Sequence, residues 1–371
     1  MYSFFQRGLQ MKQFLTGVAL LLSAVGSVEA STCEQNVDKV KLFYVNGMFT
    51  DYFKFGANKA QLITFQKAHL KNEFELHPIV DGSYNDSEDL IKQFAQVAAQ
   101  KYADSGPIER EAIKKLIRGT TNLLTDQDTA ESKALLQKIF NDLDGYNITN
   151  DVDFSTAYRR LTANLDTCYR VILVGHSQGN FYSNGLLSEL YSKYTHKDGS
   201  SLFDYPMLSY MGIALPTSVA GGPIGTAKPD LIGHITNDND YIMAAVREAI
   251  GAIPANYNAS FTFADWTGHG LTEAYLTRPG QASVISSHMK RMVKNLLPPA
   301  LHGQQQVSSS AINGIGYSKI SEILDIEFSD NTVYRYEGVP EGVWESFKAA
   351  SSKGRYFNMS IKDKYSFTQL Q

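Results

Sequence analysis

The sequence predicts an α/β protein: a mostly parallel sheet flanked by helices, a helical insertion in its middle, and a small α+β unit at the C-terminus. Three observations carry this. Strand-like runs alternate with helical patterns from Lys39 to Leu297, the order that builds a parallel sheet covered on both faces. The run Val171-Ile172-Leu173-Val174 leads directly into Gly175-His176-Ser177-Gln178-Gly179 and then a helical stretch. After Pro298-Pro299 and a Gln/Ser-rich stretch, the pattern changes to short alternating strands.

The chain begins as an export signal. Arg7 and Lys12 supply positive charge, Phe14 to Val25 an apolar run, and Val28-Glu29-Ala30 a small-residue cleavage site, which predicts a signal peptide over 1–30 cut after Ala30. Met11-Lys12 is an equally complete start. The run is too short to span a bilayer, so no transmembrane anchor is expected. Thr32 before Cys33 departs from the small residue that a lipobox carries. The protein is therefore read as periplasmic or secreted.

The next 270 or so residues, 31–300, read as one large domain. Strand Lys39–Val45 ends at Asn46-Gly47-Met48. A helix over Ala57–Lys71 and a strand over Phe74–Val80 follow. From about 83 to 166, apolar residues recur at helical spacing (Ile108, Ala112, Leu116, Leu123; Leu135, Ile139, Leu143), which marks the insertion. Tyr169–Val174 is the next strand and Phe181–Tyr194 the next helix. Strands over Met207–Leu215 and Leu231–Thr236 flank a Gly/Pro-rich loop with no evident helix. A helix over Asp240–Ile250, a short strand over Ser260–Phe263 and a helix over Gln281–Leu297 close the domain. Residues 301–310 read as a linker. In 311–371, Leu324, Ile326 and Phe328 alternate with Asp325 and Glu327, the period of a half-buried strand. Asp330-Asn331 turns into a return strand over Val333–Tyr336, and Pro340 opens a helix to Ala350.

Composition narrows the function. The 371 residues are 43% hydrophobic and carry a formal net charge of −4, which loss of Arg7, Lys12 and Glu29 takes to −5. Nucleic-acid binding rests on positive charge, so no nucleic-acid partner is expected. There are two cysteines, Cys33 and Cys168, each ahead of a predicted strand. Export exposes them to oxidation, and a Cys33–Cys168 disulfide at the sheet end opposite Ser177 is expected. Two separate buried thiols are the alternative.

The chemistry centres on Ser177. A Gly-x-Ser-x-Gly turn between strand and helix lifts the serine hydroxyl above the sheet edge. A serine needs a base, an orienting acid and donors for the developing oxyanion, in the chain order Ser, acid, His for this type of turn. Asp240 follows the strand that ends near Thr236 and is preferred over Asp238. Either also suits a helix cap. His269, in the glycine-flanked loop Trp266–Leu271, is the candidate base. His176 is expected to point away across the turn. The oxyanion donors are expected to be the backbone N–H groups of Gln178 and Met48, although Asn46–Phe49 also reads as an ordinary strand-ending turn. No zinc-type His/Cys spacing or phosphate-cradling glycine loop is present, so no cofactor is expected.

Asn46-Gly47-Met48, the Gly175–Gly179 turn, Asp240 and His269 together resemble the α/β-hydrolase family over about residues 36–298. The resemblance implies a lipase- or esterase-like serine hydrolase, here lacking the first two antiparallel strands of larger members and carrying an unusually placed insertion. Tyr317, Tyr334-Arg335-Tyr336, Val339-Pro340, Ala350–Gly354, Tyr356-Phe357-Asn358 and Ile361–Tyr365 resemble the KTSC domain, which also ends some lysyl-tRNA synthetases and for which RNA binding has been suggested. Here that tail holds 7 Lys plus Arg against 8 Asp plus Glu, so an accessory or partner-binding module is expected. Two functions follow from this reading. One is an exported hydrolase of carboxylic esters, acyl lipids above all. The other is a non-catalytic binding protein that docks a partner protein through the tail.

Overall fold

The computed structural model describes residues 36–47, 50–84, 152–241, 243, 244, 247 and 252–371. Its first sheet is parallel throughout, in the order β2–β1–β4–β5–β6 with β3 also beside β1. The strands are β1 (Lys39–Val45), β2 (Glu75–Leu76), β3 (Asp81–Ser83), β4 (Arg170–His176), β5 (Leu208–Ile213) and β6 (Ile232–Ile235). The helices are α1 (Tyr52–His69), α2 (Val152–Asp166), α3 (Gly179–Lys193), α4 (Gly222–Ala227) and α5 (Pro279–Asn295).

Every residue of β4 is buried, because the strand's two faces pack against different cores. Val171 and Leu173 join Phe43 and Val45 of β1 against Leu161 of α2 and Leu186, Leu187 and Leu190 of α3. Ile172 and Val174 join Leu42 and Tyr44 against Leu62 and Phe65 of α1 and Ile285, Met289 and Met292 of α5. The period-2 side-chain alternation of a strand thus sorts one apolar run into two layers. Each such buried aliphatic side chain contributes about 1.5–3 kcal/mol.

The remaining strands form a separate antiparallel sheet, β7 (Gln305–Gln306), β8 (Ile312–Ser318), β9 (Ile323–Phe328), β10 (Val333–Glu337) and β11 (Ser366–Gln369), in the order β11–β10–β9–β8–β7. Helices α6 (Glu341–Ala349) and α7 (Lys353–Ser360) cover it. Tyr317, Tyr336, Trp344, Phe347 and Phe357 lie in its core with Ile312, Leu324 and Ile326.

The two units meet at the end of the parallel sheet where β4 begins. Arg170 is fully buried there. Its guanidinium donates to Val37 O (3.0 Å), Leu296 O (2.6 Å), Ser318 Oγ (2.8 Å) and Ser321 Oγ (2.8 Å). Asp38, 3.7 Å from it, accepts from Ser318 Oγ and Lys319 N, each at 2.7 Å. Burial pushes the Arg170 pKa down to about 10, against which these acceptors hold the charge.

Several elements depart from the sequence reading. Helix α1 starts at Tyr52 rather than Ala57, because Asp51 caps it by accepting Lys54 N at 2.7 Å. The expected strand over Phe74–Val80 is two short strands, β2 and β3, since Pro78 between them has no N–H for the ladder. The loop before β6 contains α4, with Pro223 in its first turn, after Gly221 at φ +74°. Six residues are too few to show a helical period. Ser260–Phe263 is not a strand; Phe261 and Phe263 are 56% and 94% exposed, so no sheet neighbour takes them up. The 301–310 linker is partly structured, for Gln305 and Gln306 pair with Ile315 and Gly314. Of the insertion over 83–166, the described part is Ser83 in β3, Tyr84 and helix α2. Residues 85–151 and the signal segment 1–30 lie outside the described residues. Among the described residues, no helix is long and apolar enough to cross a membrane.

Candidate active site

Because the large sheet is parallel, β1, β4 and β6 all present their C-terminal ends at one edge, the place where open α/β sheets bind ligands. Ser177 follows β4 with φ +53°, a left-handed conformation that costs a non-glycine residue about 1–3 kcal/mol. Its surroundings hold it there. Ser177 N donates to Ile213 O at 3.0 Å. Asn180 Nδ2 donates to Ser177 O at 2.7 Å and to Ile213 O at 3.0 Å, while Tyr210 OH donates to Asn180 Oδ1 at 2.6 Å. The glycines are spatial necessities. A Cβ on Gly175 would lie 2.6 Å from Asn180 Oδ1, and one on Gly179 would lie 2.5 Å from Val45 O.

Ser177, His269 and Asp240 come together although 92 and 29 positions separate the pairs. Ser177 Oγ lies 3.0 Å from His269 Nε2. His269 Nδ1 lies 2.9 Å and 3.1 Å from the two carboxylate oxygens of Asp240. A carboxylate only accepts, so Nδ1 carries the proton and Nε2 is left to accept from the serine hydroxyl. Burial disfavours a charged His269, but the Asp240 charge and hydrogen bond, with Asp265 nearby, outweigh it and raise its pKa above the ordinary 6.5.

Asp240 is fully buried and does two jobs. Its Oδ1 accepts Met243 N at 2.9 Å, capping the helical turn that follows. Its Oδ2 accepts Tyr275 OH at 3.1 Å. Tyr275 OH in turn accepts Asn237 N at 3.1 Å. The alternative acid, Asp238, turns elsewhere and accepts Ala259 N at 2.8 Å.

The loop carrying His269 is tied down at several points. Asp265 accepts Thr267 N at 2.9 Å and Gly270 N at 2.5 Å. Asn237 Nδ2 donates to Gly268 O at 3.2 Å, and Gly268 sits at φ +68°. A π-helical turn over Leu271–Leu276 follows and brings Tyr275 back to Asp240.

Three participants were not evident in the sequence. His176 does not point away: its ring packs against that of His269 with centroids 5.0 Å apart, and its Nε2 lies 2.9 Å from His269 O. Asn180 and Tyr275 are the others. Neither belongs to the motif, and only the turn's return through Ile213 and the π-helical turn bring them in. Of the proposed oxyanion donors, Gln178 stands at the N-terminal end of α3, where helix N–H groups favour an anion. Met48 lies outside the described residues. Its neighbour Gly47 abuts the serine, since a Cβ there would lie 2.6 Å from Ser177 Cβ. Cys168 is disulfide-bonded and precedes β4 at the sheet end opposite Ser177. Cys33, the other cysteine of the chain, lies outside the described residues.

Residues 308–365 match the KTSC domain family. The chain is 39% identical over 59 residues to an uncharacterized protein of Stutzerimonas stutzeri, a match covering 16% of this chain and 83% of that protein. It is 43% identical over 61 residues to a protein named lysine–tRNA ligase from Nostoc punctiforme, covering 16% of this chain and 11% of the ligase's length. A crystal structure of a KTSC domain protein from Yersinia pestis is 42% identical, covering 18% of this chain and 94% of that one with a TM-score of 0.18. The family match concerns the C-terminal unit.

Proposed function

We propose that this chain, whose residues 308–365 are a KTSC domain, is an exported serine hydrolase of the α/β-hydrolase type that cleaves carboxylic esters through Ser177, His269 and Asp240. The carrying observation is the unbroken hydrogen-bond chain from Ser177 Oγ to His269 Nε2 (3.0 Å) and from His269 Nδ1 to Asp240 Oδ2 (2.9 Å). It sits on a serine held at positive φ at the edge of a parallel sheet.

In this reading His269 Nε2 takes the Ser177 proton as Oγ attacks the ester carbonyl carbon. The carbonyl oxygen becomes an oxyanion beside the Gln178 N–H. His269, doubly protonated and steadied by Asp240, then gives its proton to the leaving alkoxide as the ester C–O bond breaks, and an acyl-serine remains. A water attacks that acyl group by the same proton route, and the carboxylic acid departs with Ser177 restored. Acyl lipids are the favoured substrates in this reading because exposed apolar side chains stand close in the chain to two of the three residues: Tyr241 next to Asp240 is 49% exposed, and Phe261, Phe263 and Trp266, in the segment that leads to His269, are all exposed.

A fluorophosphonate probe tests the reading. It is expected to label the purified protein at Ser177 and to fail on Ser177→Ala, and an ester series of rising acyl length then reports the preferred chain. Absence of labelling on folded protein would sink the enzyme and leave a binding protein on the same fold.

A further inference from the structure

The segment between the two units is held in an unusual way. Asp325 on β9 and Arg335 on β10 are cross-strand partners, both buried, at 0% and 3% exposure. They form a two-point ion pair, Nε to Oδ1 at 2.8 Å and Nη2 to Oδ2 at 2.7 Å. That leaves three guanidinium N–H groups and two carboxylate lone pairs. The chain segment just before the domain takes up two of the former and one of the latter with backbone atoms only. Arg335 Nη1 donates to Pro298 O at 3.0 Å and Nη2 to Pro299 O at 2.9 Å. Leu301 N donates to Asp325 Oδ2 at 2.8 Å.

The neighbouring strand is cut to fit the same segment. A Cβ on Gly316 would lie 1.8 Å from Leu301 O, and one on Gly314 would lie 2.5 Å from His302 O. Glycine at these two positions lets a second backbone lie directly on β8. Tyr317 N then donates to Gln304 Oε1 at 2.8 Å, and Gln305–Gln306 continue as the edge strand β7. Prolines suit the first two positions because they are pre-set to extended backbone and bring no N–H toward a guanidinium that can only donate.

We propose that the KTSC domain of this chain is a clamp that reads the backbone of an extended peptide, and that the peptide it holds is the chain's own segment 298–306. Strand addition supplies one half of the recognition. The Asp325–Arg335 pair supplies the other, by requiring two successive acceptor carbonyls and an N–H two residues later. Between 298 and 303 only Pro298 and Leu301 are buried, so a proline-containing extended segment from another protein with an apolar residue at the Leu301 position fits the same groove once the chain's own segment leaves it. The proposal does not depend on Ser177 being a nucleophile.

The test uses the full chain with a protease site placed in the turn Ser308–Ser310, whose first and last residues are exposed. After cutting, the two fragments are expected to elute together. Excess synthetic peptide spanning 297–307 is expected to release the C-terminal fragment. The same peptide N-methylated at Leu301, which cannot donate to Asp325, is expected to need at least tenfold more. Separation of the fragments on cutting alone overturns the clamp. So does equal release by both peptides, or release by neither, which would assign the docking to the Arg170 network.

Discussion

His176 Nε2 donates to the backbone carbonyl of His269 across 2.9 Å, so the residue before Ser177 holds the residue proposed as the serine's base. Burial pushes the His176 pKa down to about 3, so the ring stays neutral through the working range and keeps its single N–H on that carbonyl. The bond fixes the His269 loop to the serine turn at its closest point. His176→Phe keeps a ring against His269 and removes the donor. It is expected to lower kcat by about 10- to 100-fold, with KM within a few-fold of the parent, since misplacement of a reacting group by about 1 Å is worth that much. Steady-state kinetics on a soluble ester check this, and His176→Gln, which restores an N–H donor, is expected to recover part of kcat.

In the proposed mechanism the Asp240–His269 pair sets the pH dependence. Only neutral His269 accepts the serine proton, and its pKa lies above the ordinary 6.5. Activity is therefore expected to fall as pH drops through a midpoint above 6.5. For stability the sign is opposite: a raised histidine pKa stabilises the fold below the unfolded value and loses that contribution as pH rises through the folded one. Asp240→Asn removes the charge that raises the pKa. The acid limb of kcat/KM is expected to move to lower pH while kcat falls by roughly 10⁴. A pH–rate profile of both proteins reads the two effects.

Gly47 offers a purely steric test. Its Cβ position lies 2.6 Å from Ser177 Cβ, 2.8 Å from His176 O and 3.2 Å from Ser177 Oγ, all on backbone or on a serine pinned by its turn. Gly47→Ala is therefore expected to displace the nucleophile, lowering fluorophosphonate labelling by at least tenfold. The thermal midpoint, which reads the whole core, is expected to shift by only a few degrees. Scanning calorimetry beside labelling separates the two.

The Gly175–Gly179 turn was legible because its signal is local: five residues, a β-branched run before them and a helix after. The approach of Asp240 and His269 to Ser177 was expected from chain order and from the glycine-flanked loop that carries His269. His176 was misread because the direction of its ring depends on where the Asp265–Gly270 loop folds back, and no local pattern encodes that. Tyr275 reads in sequence as an ordinary aromatic ahead of a helix, and its hydroxyl reaches Asp240 only through a π-helical turn. The expected strand over Ser260–Phe263 failed for the converse reason. A β-favouring composition forms a strand only where a neighbour offers hydrogen bonds, and here Phe261 and Phe263 face solvent.

Arg170 shows the same limit at the domain boundary and supplies a last prediction. In sequence it is a basic residue opening a strand. In the fold its acceptors come from Val37, Leu296, Ser318 and Ser321, the last two 148 and 151 residues away. Arg170→Met keeps much of the volume but strands these acceptors and Asp38 at a closed junction. Removing one member of a buried charged network costs about 3–5 kcal/mol, and the loss falls on the contact between the two sheets rather than within either core. Calorimetry is expected to show one unfolding transition in the parent and two in Arg170→Met, with the Ser177 site, at the far end of β4, still labelled by a fluorophosphonate below the first transition. A single transition lowered as a block would instead mean that Arg170 supports the core of the parallel sheet and not the junction.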